Sequence, residues 1–309
     1  CCVWYNRIVM SDDDTGTPNM TGPRILDGRT LRDAGILKLK SAIGLRAVVP
    51  TLVIVQVGNL SESNAYIEQK KKFGEKIGAT VIHQKFPDTV GEEELVRAIK
   101  GFNQSGDVHG IIVQLPIPSG LTKQTIIDTI DPRKDVDGLT TSNKNLFEAG
   151  DRRAVVPATA RGVLSLLRGY GIGTVGKRVT VVGRSALAGS PIATLLIREG
   201  ATVTVCHRST SDIPEKCRNA DILVIAVGSP RLITKDYVSA GQTVVDVGIN
   251  SVDGEKLDEE LPKKILVGDV DFETVKGIVE AISPVPGGVG PMTVLSLYEN
   301  LCEASGINF

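Results

Sequence analysis

The sequence predicts an α/β protein in two parts, on three observations. Strand-sized runs rich in Val and Ile, such as 51-TLVIVQVG-58 and 222-ILVIAVG-228, alternate with segments of helical length, the rhythm of parallel sheets covered by helices. A second series of such runs begins after Pro157 and opens on a glycine loop, 183-GRSALAGSP-191, where nucleotide-binding folds cradle phosphate. The length of 309 residues fits two domains of about 150 residues each.

Composition narrows the classes of function. Hydrophobic residues at 41% and charged residues at 23% describe an ordinary globular chain, neither disordered nor fibrous. Lys and Arg total 35 against 36 Asp and Glu, a net charge of -1, so the chain lacks the field of a protein that neutralises many nucleic-acid phosphates. No nucleic-acid partner is expected. No membrane partner is expected either, because the longest apolar runs are strand-sized and far short of a span. The five cysteines form no CxxC pair and no zinc-ligand cluster, so no metal site is expected and a reducing compartment fits best. Residues 1–21 read as a loose N-terminal tail without signal or transit features; the expected location is cytoplasmic, with the mitochondrial matrix left open.

In the first half, the strand 51–58 leads to a helix over 62–77, a short strand at 80–83, a helix over 91–103 and a strand-like run at 108–116. The stretch 41-SAIGLRAVVP-50 makes a poor amphipathic helix. Loops at strand carboxyl ends are where chemistry sits in such folds, which singles out 58–63, 114–120 and 131–138. Tyr66 and Lys70 lie four positions apart, on one helix face. Tyr66 offers a flat platform, and Lys70 serves as an acid or base only if burial or a cationic neighbour lowers its pKa; on spacing alone, a solvated lysine is the plainer reading. Gln114 carries an amide donor and acceptor in a loop stiffened by Pro116 and Pro118. Asp135 and Asp137 precede Gly138; they lack the further oxygens of a calcium loop, and one acid suits an amino-pyrimidine edge.

In the second half, a helix over about 161–170 precedes apolar runs at 178–183, 202–206, 222–228, 243–248 and 265–269, the pattern of a doubly wound sheet. Gly183 and Gly189 flank a loop that departs from GxGxxG, because Ser185 holds the middle position; Pro191 is suited to open the next helix. At the tip of the second strand stands Cys206-His207-Arg208-Ser209, without the carboxylate that would bind a ribose 2′-hydroxyl. A guanidinium there suits a 2′-phosphate, so NADP is the expected cofactor. Arg184 can approach the same phosphate or the adenine. Solvated surface charges are the alternative for both arginines, and His207 and Cys206 carry no chemistry in this reading. The closing segment 283–301 is a stiff Pro/Gly loop followed by an apolar helix with Pro291 near its start; its destination is left open between the two halves.

The blocks 25-ILDG-28, 63-SNAYIEQKKKFGEKIG-78, 112-IVQLPIP-118, 135-DVDG-138, 181-VVGRSALAGSPIATLL-196, 202-TVTVCHRST-210, 268-GDVD-271 and 284-PVPGGVGPMT-293 resemble, in this order, the bifunctional methylenetetrahydrofolate dehydrogenase/cyclohydrolase family. The resemblance implies a folate-binding α/β domain over 22–159 plus 284–309 and a Rossmann-like NADP-binding domain over 160–283. It implies oxidation of 5,10-methylenetetrahydrofolate with NADP and hydrolysis of the methenyl product to 10-formyltetrahydrofolate. Lys70, Gln114 and Asp137 would then carry catalysis, and Tyr66, Asp137, Gly288, Val289 and Pro291 would hold folate. Gly183, Arg184, Ser185, Arg208, Gly228, Ile249 and Thr293 would hold NADP, and the assembly would be a homodimer. The chain departs from the family's pattern at 157-PATA-160, between Gly28 and Thr51, and over 141-TSNKNLFEAGD-151. The alternatives are a member that retains only the dehydrogenase and a nonenzymatic NADP- or folate-binding protein.

Overall fold

The computed structural model describes residues 22–253 and 264–309; the expected N-terminal tail, 1–21, lies outside them. The chain opens with β1 (Arg24–Ile25), α1 (Gly28–Gly44), β2 (Thr51–Val57), α2 (Ser61–Ile77), β3 (Thr80–Phe86), α3 (Glu92–Gln104), β4 (Gly110–Val113), α4 (Lys123–Asp128) and α5 (Thr141–Ala149). Helix α6 (Ala158–Gly169) leads into β5 (Arg178–Val182), α7 (Gly189–Arg198), β6 (Thr202–Cys206), α8 (Ile213–Arg218), β7 (Ile222–Ile225) and a 3-10 turn at Lys235–Tyr237. Then come β8 (Thr243–Asp246), β9 (Asn250–Asp253), β10 (Lys264–Val267), α9 (Phe272–Val275), β11 (Ala281–Ile282) and α10 (Val289–Ala304).

Strands β3-β2-β4 make one parallel sheet, and β1-β11-β8-β7-β5-β6 make a second, parallel throughout. All seven residues of β2 are buried, which is why TLVIVQV is continuously apolar rather than alternating. In each sheet the chain reverses direction once, between β2 and β4 and between β5 and β7. These are the switch points where open α/β sheets hold ligands.

Four expectations are corrected. The run 265–269 is not a fifth strand of the large sheet: β10 pairs antiparallel with β9 in a separate two-stranded ribbon. The edge is completed instead by β11 and by β1, whose Arg24 and Ile25 align with Ala281 and Ile282. The run 108–116 is a strand only over Gly110–Val113, because Gln114 turns away beyond its backbone bond to Val55 O at 2.8 Å. Helix α7 begins at Gly189, so Pro191 occupies its third position, tolerable because first-turn N–H groups have no intrahelical acceptor. The weakly amphipathic stretch after residue 41 is helical only to Gly44, the end of α1.

Helix α10 joins the halves. It packs on α6, α1 and α2, and glycines allow two of the close approaches: a Cβ at Gly28 would lie 2.0 Å from Gly288 O, and one at Gly162 would lie 2.9 Å from Thr293 N. Buried Asn300 donates from Nδ2 to Val136 O at 2.8 Å and Val156 O at 3.0 Å, and accepts from Arg161 Nη1 at 2.8 Å. The loop that carries Asp137 is thereby tied to the last helix. Replacing Asn300 with Ala strips partners from two carbonyls at about 1–3 kcal/mol each, so the variant should lose roughly 2–6 kcal/mol of unfolding free energy in urea titrations.

Candidate active site

Three chain segments converge at the switch point of the small sheet. Helix α2 brings Tyr66 and Lys70, the end of β4 brings Gln114, and the turn before α5 brings Asp137. Lys70 Nζ donates to Gln114 Oε1 at 2.7 Å. An ammonium only donates, so this bond sets the amide's orientation, and Gln114 Nε2 donates to Leu115 O at 2.9 Å. Gln114 is 9% exposed and is fixed on both sides. Lys70 is therefore not the solvated lysine that spacing alone favours.

Burial lowers the Lys70 pKa, opposed by the negative charge of Asp137. The Asp137 carboxyl moves the other way: burial raises it to about 6, against the pull of Lys70. An amine and an acid pushed toward each other's range are the mark of a site built for proton handling. Tyr66, one turn before Lys70, is half-buried, and burial raises its phenol pKa, so it stays a neutral platform.

Asp135 and Asp137 have different work, which residue type and spacing alone do not distinguish. Asp135 is buried and accepts from Gly138 N, Leu139 N, Thr140 N and Asn143 Nδ2 at 2.8–3.1 Å. Its oxygens are used up inside the turn. Gly138, at φ +73°, lies where a Cβ would meet Pro157 Cα at 2.9 Å, and this tight turn leaves Asp137 near enough to Lys70 for each charge to act on the other. Tyr298 is a further contributor the sequence did not reveal: its ring stacks on Phe73 at 4.8 Å and its hydroxyl donates to Lys70 O at 2.6 Å. Within an apolar helix nothing marks that tyrosine as anything but core.

The second switch point holds the glycine loop. A Cβ at Gly183 would lie 2.1 Å from Ala226 O, and one at Gly189 would lie 2.1 Å from Gly183 O. The loop is thus folded onto itself against the end of β7. Ser185 Oγ accepts from Gly189 N at 3.4 Å, Arg184 and Arg208 are exposed, and neither arginine has an ion pair among the described residues. Gly228 has φ +68° and no atom within 4 Å of a Cβ position. Ile249, in the loop between β8 and β9, approaches Gly290 of α10: a Cβ there would sit 3.7 Å from Ile249 Cδ1. Val289 is buried, Thr293 bonds back to Val289 O at 3.3 Å, and Pro291 lines a small cavity with Phe73 and Lys72. The two loop groups meet along the start of α10. No group of three or more metal-ligating side chains occurs among the described residues.

Residues 26–137 match the tetrahydrofolate dehydrogenase/cyclohydrolase catalytic domain, and residues 157–308 match the NAD(P)-binding domain of the same family. The chain belongs to the tetrahydrofolate dehydrogenase/cyclohydrolase family. It is 44% identical over 258 residues to the bifunctional protein FolD of Francisella philomiragia, covering 84% of this chain and 88% of that protein. Among solved structures, the bifunctional FolD of Campylobacter jejuni superposes with a TM-score of 0.84 at 36% identity, over 91% of this chain and 98% of that one. The Trypanosoma brucei methylenetetrahydrofolate dehydrogenase-cyclohydrolase, solved with NADP and an inhibitor, gives a TM-score of 0.86 at 35% identity, over 92% and 97%. The two-domain α/β fold expected from sequence is the fold of this family.

The raised Asp137 pKa makes a prediction about stability. Because the folded state holds this proton up to about pH 6 and an unfolded Asp releases it near 3.9, folding takes up a proton in that window. Stability contributed by Asp137 is present at low pH, falls as pH rises through the window, and stays lost above it. Asp137→Asn should therefore melt higher than wild type at pH 8, by roughly 1–3 kcal/mol, with the advantage vanishing near pH 4 in parallel melts.

Proposed function

We propose that this chain oxidises 5,10-methylenetetrahydrofolate to the 5,10-methenyl compound with NADP and hydrolyses that product to 10-formyltetrahydrofolate. The observation that carries the reading is the Lys70 Nζ to Gln114 Oε1 bond at 2.7 Å, with Asp137 near enough for its charge to act on Lys70. The family's domains cover both halves of the chain, and relatives bear the name of bifunctional enzymes. Asp137 suits the pterin because an ionised carboxylate accepts two N–H bonds from an amino-pyrimidine edge. Tyr66 suits the flat ring system as a stacking platform.

The residues of the second switch point fit NADP: a glycine loop closed on itself, the N-terminus of α7, and two exposed arginines for the phosphates. When bound, NADP supplies the hydride acceptor. The protein's share in the oxidation is to hold the folate methylene carbon in place and exclude misalignment. In hydrolysis, water adds to the methenyl carbon, the carbon–N5 bond breaks, and the formyl group remains on N10. Lys70, its pKa lowered by burial, takes a proton from the attacking water and returns one to N5, with one proton released overall. Gln114 holds the amine in line through both transfers. One site serves both reactions because they act on the same carbon.

From the same kinship we infer a homodimer. A reducing compartment, cytoplasmic by the sequence expectation, agrees with Cys206, Cys217 and Cys302, which are buried free thiols.

The test is reduction of NADP at 340 nm on addition of 5,10-methylenetetrahydrofolate; folded protein that gives no folate-dependent signal overturns the assignment. Lys70→Met keeps the stem and removes the amine, so methenyl hydrolysis should fall at least about 100-fold, with a smaller loss of hydride transfer. Wild-type hydrolysis in that folded variant would remove Lys70 from its role. Arg208→Ala should weaken NADP at least about tenfold relative to NAD, since only NADP has a phosphate for a charge-assisted bond. Equal losses for both cofactors would place Arg208 outside phosphate recognition.

A further inference from the structure

Two buried acids in the second half have no part in the chemistry above. Asp269 is 0% exposed and Asp246 is 3% exposed, and neither has an ion pair among the described residues. Acids so placed need hydrogen-bond donors in place of water. Asp269 Oδ2 accepts from Val227 N at 2.7 Å and Gly228 N at 2.9 Å, and its Oδ1 accepts from Ser229 N at 2.8 Å and Asn250 Nδ2 at 2.9 Å. Three successive backbone N–H groups converging on one anion form a nest of the kind that elsewhere binds phosphate. Here the protein's own carboxylate occupies it.

Asp246 stands behind this arrangement. Its Oδ1 accepts from Gly248 N at 2.9 Å and Asp269 N at 3.1 Å, and its Oδ2 accepts from Val270 N at 2.9 Å. Its own backbone N–H donates to Ser283 Oγ at 2.8 Å. Glycines make room for both carboxylates: a Cβ at Gly248 would lie 2.3 Å from Asp269 Oδ1, and one at Gly268 would lie 1.8 Å from Asp246 Oδ2. Ser283 in turn packs on Gly288, where a Cβ would lie 2.7 Å from Ser283 Cβ. Residues 227–229, 248–250, 268–270 and 283–288 are thereby tied through the side chains of Asp269, Asp246, Asn250 and Ser283.

We propose that Asp269, braced by Asp246, is the positioning residue that fixes the loops after β7 and β8 in the shape that receives the cofactor. The proposal rests on the reading of Gly228 and Ile249 as cofactor contacts. Neither acid touches the reacting atoms. Asp269 acts through the N–H groups of 227–229, whose direction it sets, and the filled nest leaves the α7 end of the sheet as the place for phosphate.

Asp269→Asn keeps the shape and replaces one acceptor oxygen by an N–H donor facing N–H donors. The expected result is a split: NADP affinity, by direct titration, falls at least tenfold and the KM for NADP rises with it. Cofactor-independent hydrolysis of methenyltetrahydrofolate, which uses Lys70 and Gln114, changes less than threefold. Asn250→Ala removes one donor without a charge change and should weaken NADP about threefold or more, which keeps the test alive if Asp269→Asn does not fold. NADP affinity within twofold of wild type in either folded variant overturns the proposal, as does hydrolysis falling by the same factor as NADP binding. Wild-type protein that neither binds NADP nor turns over folate fails the functional reading instead.

Discussion

An amine and a carboxylic acid partly withdrawn from water, each acting on the other's charge, are the constraint on which the first half of this protein depends. Lys70 is destabilised as a cation and Asp137 as an anion, and desolvation alone would drive either group to neutrality. Each opposes the shift that burial imposes on the other. That balance requires the three segments carrying Lys70, Gln114 and Asp137 to be held firmly in register. The means are the two fixed sides of the Gln114 amide, the turn closed by Asp135, and the Tyr298 hydroxyl on the Lys70 carbonyl.

The same economy of acids appears elsewhere in the chain, in both halves, with the opposite sense. Asp135, Asp246 and Asp269 are all buried and all satisfied mainly by backbone N–H groups. They shape loops, and no free oxygen is offered to a ligand. Asp137 differs in having no such set of backbone donors, and its charge state is governed by Lys70 and burial. What distinguishes the reacting carboxylate from the structural ones here is its partners: Asp137 answers to the charge of Lys70, the others to backbone N–H groups.

Parallel strands were legible for two reasons: β2 because burial on both faces makes it continuously apolar, and β5 and the edge strand β6 because their Val- and Thr-rich runs favour extended backbone. The β10 run was misplaced because an apolar tetrapeptide looks alike in a parallel sheet and in an antiparallel ribbon; only its partner β9 decides. Strand β1 has two residues and no period to read. Tyr66, Lys70, Gln114 and Asp137 were legible as residue types at strand ends and on one helix face, yet spacing could not tell a buried Lys70 from a solvated one. Asp246 and Asp269 went unread for a related reason. A carboxylate that fills a backbone nest is visible only once the loop around it has folded, although the glycines at 248 and 268 mark where it needs room.

The pairing of β1 with β11 sets an order of events during synthesis. Arg24 aligns with Ala281, and the Lys70 helix is braced by Tyr298, so early segments wait for late ones. At about 5–20 residues per second, the ribosome needs on the order of tens of seconds to deliver α10 after α2 has emerged. The β5–β8 sheet can form in that interval from nearby residues. The small sheet meanwhile carries a lysine whose helix lacks its brace until α10 arrives, and the loops after β7 and β8 likewise wait for Asp269 and Ser283.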